Sequence, residues 1–271
     1  MVRLGGAASA PYIEVFRGLQ DYFRRQGIDL DWVLYSDYDA LVDAFVNKEI
    51  DLAWNGPLAY VKIKRRLSDP CKVVAMRDVD VNYITHFVTL PDSSITAVED
   101  LMGKRFAFGS RGSIEAGVLA YHFLKESGID PERDLSLSTF NEERIPGEPS
   151  GDSRKFVSDE HDVIERVRSG EYDAGAVCQR SLVRLEDSGT IPKGNVRIFW
   201  SSPGYSHCCF TAQGDMDDDL ARKITEAFVS VDFSEAVGKA VLDGEDCGAF
   251  VPGTTKGWEA LEKIALEEGL V

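Results

Sequence analysis

What this chain lacks narrows its chemistry first. No run of 18 apolar residues occurs in its 271, so no transmembrane helix is expected. The opening Met1-Val2-Arg3-Leu4-Gly5-Gly6-Ala7 holds no apolar stretch of the signal-peptide kind, so the expectation is a cytoplasmic chain or one whose leader has been removed. Basic residues are outnumbered. Thirty Lys and Arg against 46 Asp and Glu leave a formal net charge of -16, which repels nucleic acid and anionic membrane alike. There is no Cys-x-x-Cys pair, and five cysteines (Cys71, Cys178, Cys208, Cys209, Cys247) leave at least one without a partner in the chain. That argues against a zinc knuckle or a thioredoxin-like centre and leans towards a reducing compartment. Gly-x-Ser-x-Gly, Walker, dinucleotide-fingerprint and His-Glu-x-x-His motifs are all missing, and with them the common signatures of hydrolases, NTPases, dehydrogenases and metalloproteases.

What is present is an ordinary core-forming composition, 44% hydrophobic and 28% charged, in a length that suits one large domain or two of middling size. The first half alternates strand and helix patterns. Val2 to Gly5 reads as a strand cut short by its glycines, Tyr12 to Gln26 as a helix with Val15, Phe16, Leu19, Tyr22 and Phe23 on one face, and Leu30 to Tyr35 as a strand. Asp37 is placed to cap a helix over 38–47. Ile50 to Trp54, Val73 to Met76 and Ile84 to Leu90 read as further strands that complete this half. The βα rhythm predicts a mainly parallel, doubly wound sheet. A second α/β unit follows, and the stretch 140–159 reads as a long loop, a lid or a mobile rim. Tyr205 to Thr211 reads as a returning strand, and the remainder is helical.

The stretch Arg105 to Phe123 stands out. It joins a short β run, a turn with Gly109 and Gly112, and a helix capped by Ser113. A strand, a glycine turn and unpaired helix amides make a cradle for a small polar or anionic ligand, or simply an ordinary βα connection. Phosphate-loop spacing is missing, and Glu115 sits where it would repel an anion.

Several stretches, taken together and in order, resemble the periplasmic substrate-binding proteins of phosphate, phosphite and phosphonate ABC transporters. They are Asp37-Tyr38-Asp39-Ala40-Leu41-Val42, the more specific Ile50-Asp51-Leu52-Ala53-Trp54-Asn55-Gly56-Pro57, Gly103 to Gly109, His161-Asp162, and Gly170-Glu171-Tyr172-Asp173-Ala174-Gly175. The resemblance implies the two-lobed type II periplasmic-binding-protein fold, each lobe a mainly parallel sheet flanked by helices, with a hinge of two crossing segments. It also implies a binder rather than an enzyme. One lobe would comprise residues 1–88 and 204–271, the other 89–203. By position the resemblance carries ligand contact to Tyr38, Tyr83, Ser113 and His161. Helix starts at Ser9 and Asn55 would add to them, together with Arg180 and with Tyr205 and Cys208 from the returning stretch. Each has a plainer reading: Tyr38 as a packed helix start, Tyr83 as a hinge aromatic, and Ser113 and His161 as helix caps.

The departures from the family pattern are informative. Where the family reads Ser-Thr-Ser, this chain reads Ser113-Ile114-Glu115, and Cys208 stands at the family's acidic, amine-contacting position. Arg180 falls near another acidic family position. The charges are rearranged, so Glu115 and Arg180 would grip opposite ends of a zwitterion, amino-acid or betaine-like, or pair with each other as a gate. Phosphonate-like solutes remain in the expected class. A second reading is a soft-metal or arsenite-like sensor using Cys208 and Cys178, with His161 and His207 close by. A third is a thiol enzyme using Cys208 with His207 or His161, although neighbours on an extended strand face opposite ways. The expectation is therefore a monomeric solute-binding protein with no cofactor and no resident metal. Its partners would be a small-molecule ligand and an ABC permease or a sensor kinase, and by the resemblance its place is the periplasm or another extracytoplasmic space.

Overall fold

Gly5 and Gly6 show how tightly the first strand is packed. A Cβ on Gly5 would lie 2.5 Å from Ile50 and 2.9 Å from Leu41, and one on Gly6 would lie 2.7 Å from the Phe16 ring. Successive strand residues face opposite sides, so helices press on both faces, and only glycine leaves them room. The glycines therefore do not end the strand, as the sequence reading expects; β1 runs Val2–Ala7.

A computed structural model describes residues 1–67, 71–141 and 158–271, the side chains of residues 10 and 11 excepted. The chain divides into two units, Met1–Asn82 with Tyr205–Val271, and Tyr83–Gly204. The first contains β1, α1 (Ala10–Arg25), β2 (Leu30–Tyr35), α2 (Tyr38–Val46), β3 (Leu52–Asn55), α3 (Pro57–Arg66) and β4 (Lys72–Arg77). The second contains β5 (Thr85–Thr89), β6 (Arg105–Ala107), a π-type turn (Ile114–Val118) leading into α4 (Leu119–Glu126), and β7 (Leu137–Thr139). It continues with α5 (Asp159–Arg168), β8 (Ala174–Cys178), α6 (Gln179–Asp187) and β9 (Arg197–Ser201). The chain then returns to the first unit with β10 (Cys209–Ala212), α7 (Asp218–Val229), α8 (Ala236–Gly244), β11 (Phe250–Pro252) and α9 (Glu259–Glu267).

The first sheet has the order β11-β4-β10-β3-β1-β2. β1 pairs in parallel with β2 and β3, while β10 lies antiparallel between β3 and β4. Its main core lies beneath α1, α7 and α8, where Trp54 stacks on Phe210 at 4.2 Å and Phe210 meets Phe228 at 4.4 Å. The second sheet has the order β7-β6-β8-β5-β9, with β5 antiparallel to both of its neighbours. Val163, Ile164, Val167, Val177, Leu182 and Leu185 form one apolar layer there. Phe87 packs on Trp200 at 4.4 Å and on Phe106 at 5.2 Å.

Three further expectations change. Ile84 to Leu90 does not close the first half, because β5 pairs with β8 and β9 in the second sheet. An apolar run records burial, not which sheet receives it. The helix near His161 starts at Asp159, and its cap is Ser158, whose hydroxyl accepts from the His161 N–H at 3.2 Å. Regular pairing of the returning strand begins only at Cys209, so residues 206–208 lie ahead of it and the alternation argument fails there. The expected loop over 140–159 falls mostly outside the described residues.

Candidate functional site

In both units the candidate residues collect at one edge of the sheet, because parallel strands all deliver their following turns to the same side. In the first unit β2 leads to Tyr38, β3 ends at Asn55, β4 leads to Asp80, and the antiparallel β10 starts just after His207 and Cys208. In the second unit β6 leads to the turn at Ser110–Ser113, β8 ends at Cys178, and antiparallel β5 starts just after Tyr83.

The first unit builds a buried ionic network here. Arg77 donates from Nε to Asp80 Oδ2 at 2.6 Å and from Nη2 to Asp80 Oδ1 at 3.0 Å. Its Nη1 donates to the Glu245 carbonyl at 2.9 Å and lies 3.6 Å from that residue's carboxylate. The guanidinium sits 5.2 Å from the Trp54 ring centroid. The Asp80 and Glu245 side chains are fully buried. Burial alone would raise the Asp80 carboxyl; hydrogen bonds from His207 and Arg77 outweigh it and hold the group below the usual range. His207 Nδ1 lies 3.1 Å from Asp80 Oδ1 and 3.1 Å from Cys208 Sγ. Two tyrosines adjoin this network. Burial and then Glu245 push the Tyr12 phenol up to about 12, while burial and then Cys208 raise Tyr38.

The second unit places two carboxylates together. Four of its amides are engaged within the unit: Gly109 N–H donates to the Ala116 carbonyl, Ser110 N–H to Asp159, Ser113 N–H to Ser110 Oγ, and Ala116 N–H to Ser113 Oγ. A Cβ on Gly117 would come within 2.2 Å of the Ser110 carbonyl, so the turn lies directly against the helix start. Those four amides serve the turn itself rather than a ligand. Instead Glu115, Glu160 and Cys178 each place a ligand atom within 4.8 Å of the other two. Burial, then Glu115, raises the Glu160 carboxyl. The Cys178 thiol is pushed up to about 11 by burial first and then by the two glutamates. It caps α6 by accepting from Ser181 N–H at 3.3 Å, and it lies 3.4 Å from the Tyr83 hydroxyl.

Of the ten candidates, Tyr38 and Cys208 join the first cluster, and Tyr83 and Glu115 the second. Ser113 is the cap of the adjoining helix start. Ser9 is exposed at the start of α1 without a side-chain cap bond. Asn55 is buried and donates to the Ala53 carbonyl and to Thr211 Oγ1, which ties it into its own sheet. Tyr205 is buried, and His161 and Arg180 are half-buried in the first turns of α5 and α6. Cys178 belongs to the second unit and Cys208 to the first, each with its own neighbours there. Asp80 and Glu160 went unread in the sequence. Asp80 carried one signal, its i,i+3 spacing from Arg77; Glu160 was hidden beside a histidine read as a cap.

Comparison with known proteins settles the family. Residues 8–258 match the model of the ABC transporter phosphonate periplasmic substrate-binding proteins. The chain belongs to this family. A probable ABC transporter phosphite binding protein of Prochlorococcus marinus is 26% identical over 249 residues, 88% of this chain and 78% of the relative. A Prochlorococcus marinus structure solved with methylphosphonate superposes with a TM-score of 0.68 at 20% identity, covering 100% of this chain and 98% of the other. The aliphatic sulphonate binding protein of Escherichia coli gives a TM-score of 0.59 at 15% identity, over 100% and 88% of the two chains. These likenesses confirm the type II periplasmic-binding-protein fold class. Family members are solute binders that work with ABC permeases, not enzymes. Among the described residues no helix of this member is long and apolar enough to cross a membrane.

Proposed function

We propose that this protein captures a small zwitterionic solute, amino-acid-like or an aminophosphonate, for an ABC permease outside the cytoplasmic membrane. The observation that carries the reading is the pairing of Glu115 with Glu160 beside Cys178. Two carboxylates at this separation repel a bare oxyanion and attract an ammonium group. An ammonium centre with three N–H arms of about 2.8 Å spreads its acceptors about 4.6 Å apart, which the three side-chain atoms can supply. The chain passes between the units twice, at 82–83 and 204–205, two crossings of the kind a hinge uses.

The test is a calorimetric and thermal-shift comparison of amino acids, 2-aminoethylphosphonate, betaines, methylphosphonate and phosphite, repeated on Glu115→Ser. An amine-bearing zwitterion should bind best. Glu115→Ser should weaken it by roughly 10–100-fold, the worth of one charge-assisted hydrogen bond, and should improve binding of the simple oxyanions. Tight wild-type binding of methylphosphonate or phosphite, indifferent to Glu115→Ser, would overturn the reading.

A further inference from the structure

We propose that Asp80, His207 and Cys208 form a binding site for a borderline divalent transition metal of the zinc class, contained wholly within the first unit. Their ligand atoms, one oxygen, one nitrogen and one sulfur, lie within 4.8 Å of one another. Two edges of that triangle are 3.1 Å, Nδ1 to Oδ1 and Nδ1 to Sγ. Zinc bonds of about 2.0–2.2 Å to nitrogen and oxygen and about 2.3 Å to sulfur give tetrahedral edges of about 3.3–3.6 Å. The two 3.1 Å edges therefore lie within about half an ångström of those a zinc ion needs.

The contacts also do not close well without it. Both 3.1 Å approaches converge on the same ring nitrogen, and one N–H can point at the carboxylate or at the sulfur but not well at both. A metal on Nδ1 satisfies all three atoms at once, with Cys208 bound as thiolate and its proton passed to solvent. Arg77 does not compete for the same role. It holds the Asp80 carboxylate from behind through Nε and Nη2, as outer partners of metal ligands commonly do, and Glu245 beside it offsets its charge. The donor set of imidazole, thiolate and carboxylate selects zinc, cobalt or copper over magnesium and calcium, which prefer oxygen alone. Neither His207 nor Cys208 is fully buried, which leaves an ion a way in from solvent.

The experiment titrates chelator-treated protein with cobalt(II), followed by competition with zinc. The expected result is one equivalent bound with a thiolate-to-cobalt charge-transfer band. The band should be lost in Cys208→Ser, affinity should fall by more than about tenfold in His207→Gln, and both should be unaltered in Cys178→Ser. On the unsubstituted protein, zinc should slow alkylation of Cys208 mapped by mass spectrometry, which keeps the test decisive if a variant fails to fold. No stoichiometric binding, or a band that survives Cys208→Ser, or one that disappears in Cys178→Ser instead, would each overturn the assignment. So would unchanged alkylation of Cys208 under saturating zinc.

Discussion

Replacing Glu160 with Gln should make the unliganded protein more stable and the ligand-bound protein weaker. The side chain is 7% exposed and sits beside Glu115, with Asp159 adding a further negative charge. Two unit charges no more than 4.8 Å apart at an effective dielectric near 20 repel by at least about 3.5 kcal/mol when both are ionised. Gln is close in shape and removes that repulsion, but it loses part of a charge-assisted bond to Ser158, which costs about 1–2 kcal/mol. A net gain of at least about 1.5 kcal/mol at neutral pH follows, or a rise in Tm of at least about 3 °C for a chain of this size. The pH dependence is specific. The folded carboxyl titrates above its ordinary value of 4.5, so the folded state holds its proton more tightly. That advantage is complete below the unfolded value and is lost as pH rises through the folded one. Glu160→Gln should therefore match the wild type near pH 4 and exceed it at pH 7. The assay is thermal unfolding without ligand at both values, alongside calorimetry with the best zwitterion, where the variant should bind at least about tenfold more weakly. Equal stability at both pH values, or unchanged affinity, would refute the acidic-pair reasoning.

Two other outcomes follow from the packing. Asp80→Asn breaks a fully buried pair and leaves Arg77 with Glu245 alone, so a loss of about 3–5 kcal/mol is expected in urea unfolding of the transition that includes the first unit. Because Asp80 titrates below its ordinary value, its contribution is present above the unfolded value and fades as pH falls through the folded one; the variant and wild type should converge in acid. Gly117→Ala would drive a Cβ to within 2.2 Å of the Ser110 carbonyl, and a loss of about 1–3 kcal/mol with weakened solute binding should be seen by thermal shift. An unchanged Tm there would mean that the turn at Ser110 does not sit against the helix start.

The sequence alone determined the local elements and the family. Asp37 caps α2 by accepting from the Ala40 N–H at 2.8 Å, and Ser113 caps its own helix start, because both caps are written within four residues. The apolar spacing of Phe16, Leu19 and Phe23 placed the buried face of α1 for the same reason of short range. Tertiary structure decided everything that depends on distant partners. β7 and β11, three residues each, carry too little pattern to be read and exist because a sheet edge receives them. β5 joined the second sheet through neighbours some 90 and 110 residues away. The chemistry of the site is of this kind as well. Glu115 lies 45 residues from Glu160, and Asp80 lies 127 from His207, yet each pair shares one cluster. Charge repulsion and buried pairing act through space, so only the folded chain sets them.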